Sequence, residues 1–362
     1  MEIAFTHDIF TQQVYGGVSR YFVELVTQCK KLEPDLNVRI FGGVFINRFV
    51  GALPHVTGLR VPAVPRTGKI RKSASDFLQR SWMEKIRPSV IHQTYFSDTG
   101  FDGPNRVVIT VFDMIHELYP AYFSDMGKTA VLKKKCCLRA DKIITISETT
   151  RLQLIDILGI HPDKVQAIYL ANSLDPASAA RGIRPRDDPF ILYVGDRHGY
   201  KNFSGLLEAY SRSGKIHRNF RLVCFGGGRF TRNEAARIDE AGMKGKVIQI
   251  SGNDQLLISY YQNARAFIYP SLCEGFGLPL LEAMSCSCPV FCSDRGSLPE
   301  VAGSAAIYFD PRNAGHIQEI LEKDLFNNLK LEQMIREGIE RIKKFSWEQC
   351  ARDTLSIYHA LA

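Results

Sequence analysis

Residues 266–294 read AFIYPSLCEGFGLPLLEAMSCSCPVFCSD. An apolar run, AFIYPS, leads through the loop CEGFG into a helical stretch, PLLEAMS, and then into a second apolar run, PVFCSD. Runs this short, bounded by Gly and Pro and separated by a helix, read as buried strands of a parallel sheet with helices on its faces. Pro279 suits the first turn of that helix, where its missing N–H costs nothing.

The same alternation extends in both directions. Downstream of residue 189 the runs FILYVGD, RLVCFGGG, VIQISG, AFIYPS, PVFCSD and AAIYFDP read as strands with helices between them. Upstream, MEIAFTH, NVRIFGGVF, SVIHQTY, RVVITVFD and KIITIS form an earlier series. In VSRYFVELVTQCKKLE, the residues Tyr21, Phe22, Leu25, Val26 and Cys29 fall on one helical face. Two such series predict an α/β protein of two doubly wound, Rossmann-like parallel-sheet domains. The stretch 173–188 is rich in Pro, Ala and charge and lacks an apolar period, so it reads as the linker between domains at 1–172 and 189–345. Residues 346–362 read as a terminal helix.

A chain of 362 residues suits two domains, and 45% hydrophobic with 23% charged residues describes an ordinary globular protein. No run of about 18 apolar residues is present, so no membrane span is expected. The first residues read as a strand and not as a secretory signal. Nine irregularly spaced cysteines, several within apolar runs, read as reduced thiols of a cytoplasmic protein. Cys273, Cys286, Cys288 and Cys292 lack a paired C-x2-C knuckle and read as buried thiols, so no metal site is expected there. The net charge of +8 implies an anionic partner: a nucleotide, a phospholipid surface or a nucleic acid. No nucleic-acid-binding motif accompanies it, and nucleic acid is the weakest of the three.

In open parallel sheets, ligands sit beyond the carboxyl ends of the strands, so the strand-to-helix turns carry the candidate chemistry. In THDIFTQQVYGGVSRYF, Gly16 and Gly17 allow the backbone to approach an anion or a sugar, or simply form a flexible turn. In LYVGDRHGYKNF, Gly195 closes a strand, and Arg197 and Lys201 stand four apart, either clamping a diphosphate or lying solvated on the surface. The glycines of RLVCFGGGRF do not complete G-x-G-x-x-G, and no P-loop occurs. In the 266–294 stretch, the amides of Phe276, Gly277 and Leu278 face a phosphate or sugar hydroxyl at the helix start. Glu274 is placed to accept from hydroxyls and Glu282 to take a ribose diol, or else the two carboxylates serve the helix as cap and dipole partner.

These motifs resemble those of the retaining, nucleotide-sugar-dependent glycosyltransferases of family 4, whose E-x7-E signature is matched by Glu274 and Glu282. The resemblance runs through YGGVSRYFVEL, DKIITISETT, YVGDRHGYKNF and SLPEVAGSAAIYFDP, and is strongest to bacterial mannosyl- and rhamnosyl-type enzymes of O-antigen and other surface polysaccharides. It implies the GT-B fold, with an acceptor-binding amino-terminal domain, a deep interdomain cleft and a terminal helix that crosses back to the first domain. It implies that Arg197 and Lys201 neutralise the donor diphosphate, that Glu274 touches the donor sugar and Glu282 the ribose, and that Gly16 and Gly17 lie near the phosphate. The region from Ile250 to Asn253, with Ser251 and Asn253, matches the wall for the base. Many family members carry a histidine directly before the aspartate of TVFDMIHE. Here Phe112 stands there, leaving Asp113 and His116 as alternative contacts to the reacting sugar or acceptor.

The expectation is a metal-independent retaining hexosyltransferase. It needs no cofactor beyond its donor: no D-x-D triplet, the usual metal-binding cue, occurs in the chain, and two cations can do a metal's work. The donor is expected to be GDP-linked, with UDP behind it, and the acceptor a saccharide or a polyprenyl-diphosphate-linked glycan. The stretch 69–87 carries Lys69, Arg71, Lys72, Arg80, Lys85 and Arg87, with Ile70, Ala74, Phe77, Leu78, Trp82 and Ile86 drawn to one face and Lys133–Lys135 extending the basic patch. Such a helix either lies on the anionic inner membrane surface or packs on its own domain. The alternatives are a GT-B-fold sugar-nucleotide epimerase or phosphorylase and a non-catalytic polyanion- or membrane-binding scaffold.

Overall fold

The computed structural model describes residues 1–101, 105–179 and 188–362. It divides into two compact units, Met1–Leu170 with Ser346–Ala362, and Ala171–Phe345.

The first unit is built on a seven-stranded sheet, all parallel, in the order β3-β2-β1-β4-β5-β6-β7. The strands are β1 (Glu2–Phe5), β2 (Asn37–Phe45), β3 (Val56–Arg60), β4 (Val90–Gln93), β5 (Arg106–Val111), β6 (Lys142–Thr145) and β7 (Val165–Ala167). Ile3 pairs with Val38 on one side and Val90 on the other, so the chain reverses its direction of travel across the sheet between β1 and β4. The Gly17–Leu32 helix buries Tyr21, Phe22, Leu25, Val26 and Cys29, the face its spacing predicts.

The terminal helix, Trp347–Leu361, packs in this unit, where it contacts the Gly17–Leu32 helix. Its Tyr358 hydroxyl meets His92 Nδ1 of β4 at 2.5 Å, and His92 Nε2 reaches Thr110 Oγ1 of β5 at 2.9 Å. Burial lowers the His92 pKa to about 3, so the ring is neutral and needs both partners.

The second unit holds a six-stranded parallel sheet in the order β10-β9-β8-β11-β12-β13. Its strands are β8 (Phe190–Val194), β9 (Arg221–Phe225), β10 (Val247–Ile250), β11 (Phe267–Tyr269), β12 (Val290–Ser293) and β13 (Ala306–Phe309). Ile191, Tyr193, Leu222, Ile268 and Phe291 share its core with Leu206 and Tyr210 of the Phe203–Arg212 helix. Here the reversal lies between β8 and β11.

Part of the expected linker, residues 180–187, lies outside the described residues. The segment before it is anchored on the second unit: Asn172 donates to Ser285 Oγ at 2.8 Å, and Gln262 donates to the Pro176 carbonyl at 3.0 Å.

The Gly68–Ile86 helix departs from its expected one-sided apolar face. Trp82 and Ile86 pack inward, Trp82 against Phe41 at 5.1 Å, whereas Ile70 and Phe77 are 72% and 74% exposed. At 100° per residue, Trp82 and Ile86 lie too far around the helix from Ile70 and Phe77 to share their face. Lys133 does not extend the basic patch either. It is buried, with its ammonium 2.7 Å from Glu117 Oε2.

Candidate active site

The reversal between β8 and β11 opens the crevice where open sheets place ligands. Two loops meet there. The Leu272 amide donates to the Tyr200 carbonyl at 2.7 Å, and Asn202 Nδ2 donates to the carbonyls of Pro270 and Pro311 at 3.2 and 2.7 Å. This lacing sets Lys201, on the β8 side, against Glu274, on the β11 side. Lys201 Nζ donates to Glu274 Oε1 at 2.8 Å and to the Tyr269 hydroxyl at 3.1 Å. The two charged side chains are only 19% and 10% exposed. Burial disfavours the ammonium, but Glu274, with smaller contributions from Tyr200 and Tyr193, more than offsets it and holds the Lys201 pKa above the ordinary lysine value. A fixed positive charge with limited solvent access can stabilise negative charge strongly.

Beside this pair begins the Leu278–Ser285 helix, capped by Gly277 in the left-handed region at φ 97° and carrying Pro279 in its first turn. A Cβ at Gly277 would lie 2.5 Å from both Leu280 and Leu298, so only glycine fits the turn. Glu282 lies in the same helix and accepts from the Tyr261 hydroxyl at 3.2 Å.

Arg197 behaves differently from its sequence neighbour. Its guanidinium is buried and turned towards the loop after β9. Nε donates to Glu234 at 2.8 Å, Nη1 to the Gly226 carbonyl at 3.0 Å, and Nη2 to the carbonyls of Gly227, Gly228 and Arg229 at 3.0–3.2 Å. Phe230 covers the group at 4.9 Å. The sequence pairs Arg197 with Lys201, but the structure gives them separate partners.

The other donor-side candidates lie at neighbouring strand ends. Gly195 follows β8, and its amide donates to the Phe225 carbonyl at 2.9 Å. Ser251 follows β10 and accepts from Gln249 at 2.7 Å, while Asn253 caps the Asp254–Asn263 helix by accepting from the Leu256 amide at 3.0 Å. Phe276 is buried, with its ring 5.7 Å from that of Phe345.

The protein-family model described as glycosyl transferases group 1 matches residues 177–341, and that described as Glycosyltransferase Family 4 matches residues 15–175. The chain belongs to these glycosyltransferases. O-antigen chain mannosyltransferase B of Escherichia coli is 28% identical to this glycosyltransferase, over 95% of this chain and 96% of that protein. Among solved structures, sucrose-phosphate synthase from Thermosynechococcus elongatus superposes with a TM-score of 0.79 at 19% identity, covering 100% of this chain and 99% of that one. Anabaena Alr3699/HepE, in complex with UDP and glucose, gives a TM-score of 0.76 at 16% identity, covering 99% of both chains. Two parallel sheets with these neighbours make the fold GT-B.

Three residues of the glycosyltransferase's second unit escape a reading by motif. Tyr269 reads as a strand residue, yet its hydroxyl holds Lys201. Ser297 donates from Oγ to the Glu274 carbonyl at 3.0 Å. Gly296, at φ 61°, lies so close that a Cβ would sit 3.0 Å from the Glu274 backbone. The adjacent Gly296 and Ser297, between a strand and a helix, are a visible turn signal in the sequence. Their target is not.

In the first unit, Gly16 precedes the Gly17–Leu32 helix in an extended conformation and accepts from the Arg20 amide at 3.0 Å. Gly17 has open space where a Cβ would stand. Asp113 and His116 follow β5. Asp113 Oδ1 accepts from the Ile115 amide at 3.0 Å, and the His116 ring stacks on Phe123 at 3.9 Å. Burial lowers the His116 pKa, against an opposing pull from Asp113. Lys133 fixes this turn by donating to the Asp113 carbonyl at 2.7 Å as well as to Glu117.

Among the described residues, His7, Asp8 and Asp76 have potential metal-ligating atoms within 4.8 Å of one another. The Lys72 ammonium, 2.8 Å from Asp76, already supplies positive charge there. All nine cysteines are buried and free.

Proposed function

We propose that this glycosyltransferase moves a mannose-type hexose from a GDP-linked donor to a saccharide or lipid-linked saccharide in surface-polysaccharide synthesis, with retention and without a metal. One observation carries the reading: the Lys201–Glu274 pair at the β8/β11 reversal, beside the amino end of the Leu278–Ser285 helix. Breaking an anomeric C–O bond builds negative charge on the leaving diphosphate. Lys201 and the helix amides are fixed in advance where they can bind that charge better as it grows. Glu274 aligns the ammonium and offers a carboxylate to the sugar hydroxyls. The acceptor hydroxyl then attacks on the leaving-group face and passes its proton to the departing phosphate, with Asp113 or His116 as the acceptor-side groups. Mannose is supported by the Escherichia coli relative, whose name specifies a mannosyltransferase of the O-antigen chain, and GDP is proposed as its carrier. The UDP bound by HepE makes UDP the competing base.

A thermal-shift screen of GDP, UDP, ADP and dTDP tests the donor, because a ligand bound only by the folded state raises Tm. The largest shift belongs to GDP if the reading is right. Turnover of the matching sugar nucleotide should survive a chelator, and the product should keep the donor's anomeric configuration. An epimerase would instead convert the sugar nucleotide with no acceptor present.

No helix among the described residues is long and apolar enough to cross a membrane. The exposed Ile70, Phe77 and Leu78, set among Lys69, Arg80 and Lys85, support peripheral contact with an anionic membrane on the cytoplasmic side. Flotation with anionic vesicles, lost at high salt, is the expected result; no flotation at low salt removes this contact.

A further inference from the structure

The loop after β9 has three successive glycines in the left-handed region: Gly226 at φ 85°, Gly227 at φ 65° and Gly228 at φ 69°. Consecutive residues in that region turn like a short stretch of helix, with carbonyls on one side and amides on the other. The carbonyl side is fully engaged. The oxygens of Gly226, Gly227, Gly228 and Arg229 all converge on the Arg197 guanidinium. The amide side is open: among the described residues, the amides of Gly227, Gly228 and Arg229 make no hydrogen bond, and Gly228 and Arg229 are exposed.

The loop is also fixed at its far end. Thr231 and Glu234 form a capping box at the start of the Arg232–Glu240 helix. The same Glu234 carboxylate that accepts from the Thr231 amide at 2.7 Å also accepts from Arg197 Nε. A Cβ at Gly227 would lie 2.6 Å from Arg197 Nη1 and 2.8 Å from the Gly195 carbonyl, so loop and guanidinium fit only with glycine there.

We infer that Arg197 is a positioning residue: it gathers the carbonyls of Gly226–Arg229 so that the amides of Gly227, Gly228 and Arg229 form a cradle for phosphate oxygens of the donor nucleotide. Successive outward amides are a recognised form of anion site. This one stands at the end of β9, next to β8, whose loop carries Lys201. The assignment rests on the donor reading above, but it gives Arg197 a different part from the one its spacing to Lys201 implies. A clamp needs charge. A gatherer needs the planar fork, which a lysine cannot reproduce.

Arg197→Lys separates the two. It keeps the charge and loses the fork. The expected result is a lower Tm and a roughly tenfold weaker Kd for the nucleoside diphosphate, with kcat at saturating donor held within about threefold, because the lost contact is to the loop and not to the transition state. A fall in kcat beyond about tenfold at saturating donor overturns the inference, as does an unchanged Kd. Should Arg197→Lys fail to fold, Glu234→Gln, which weakens the same anchorage from the other end, is expected to shift Tm and Kd in the same direction by less, with kcat again unchanged; a loss of kcat with unchanged Kd overturns the inference there too. If the unaltered protein binds no nucleoside diphosphate or sugar nucleotide, the donor reading fails first. The thermal coupling between Arg197 and Glu234 in a double-mutant cycle would still report on the anchorage alone.

Discussion

Both sheets reverse direction once, and the two reversals are used in opposite ways. Between β8 and β11, Lys201 and Glu274 hold each other while keeping partial access to solvent. Between β1 and β4, most of the polar groups face one another in the interior, although, among the described residues, Asp8 Oδ1 and Gln79 Nε2 are buried without a hydrogen-bond partner. Thr6 Oγ1 donates to Asp8 Oδ2 at 2.6 Å, Thr94 Oγ1 donates to the Thr6 carbonyl at 2.9 Å, His7 Nδ1 lies 2.7 Å from Gln79 Oε1, and His7 Nε2 lies 3.2 Å from Asp76. Thr6, His7, Asp8, Gln79 and Thr94 are all buried. A reversal point marks where a ligand can enter, but the outcome depends on whether its polar groups are already committed. The first crevice keeps a charged pair within reach of a ligand. The second is a brace joining β1 to the Gly68–Ile86 helix.

The largest effect should come from the open crevice. Lys201→Met is expected to lower kcat by roughly a hundred- to a thousandfold, the range for losing one preorganised donor to a developing anion. A steady-state assay at saturating donor checks it, and a loss below tenfold would place the charge stabilisation elsewhere. Breaking the brace should do the reverse. Asp76→Asn is expected to cost roughly 2 kcal/mol of stability, read by denaturant unfolding, while leaving the nucleotide Kd unchanged.

The brace also has a pH signature. His7 and Lys72 overcome the effect of burial and lower the Asp76 pKa to about 2, so its contribution is present above pH 4 and is lost as pH falls towards 2. Burial alone would lower the His7 pKa, but Asp76, Asp8 and Gln79 together raise it. The His7 contribution is therefore complete below its ordinary value of 6.5 and lost as pH rises through the raised one. The brace should be strongest between about pH 4 and 6.5, and Asp76→Asn should flatten that maximum in an unfolding series.

A smaller change is expected from Tyr358→Phe, which leaves His92 Nδ1 buried without its partner and should cost about 1–2 kcal/mol with kcat unaltered. The smallest is Glu282→Gln, expected to weaken nucleotide binding about threefold in a titration and to spare the brace entirely.

The strand runs named from the sequence appear as strands in the structure, most clearly β4 and β8, where full burial on both faces leaves a continuous apolar run, a signal that needs no partner to be seen. β3 and β7 were not legible. β3 is an edge strand, largely exposed, and β7 spans only Val165–Ala167. Glu274 and Lys201 stood out because charge between apolar runs needs a reason. Arg197 stood out equally, and spacing alone misassigned its neighbours. Its partners are mostly backbone carbonyls, which leave no mark in composition, and the turn at Gly199, at positive φ, lies between it and Lys201. Tyr269, Gly296 and Ser297 act through contacts that only the folded loops create. Phe77 is exposed because helical spacing places it, with Ile70, on a different arc from Trp82 and Ile86, so the expected shared apolar face does not exist.

The terminal helix has a consequence for biosynthesis. Ser346–Ala362 completes the unit that begins at Met1, and its Tyr358 caps a ring in the centre of that unit's sheet. The amino-terminal half, though made first, therefore cannot complete its packing until the whole of the second unit has been synthesised. Until Ser346–Ala362 emerges, His92 and the surface of the Gly17–Leu32 helix lack the helix that covers them.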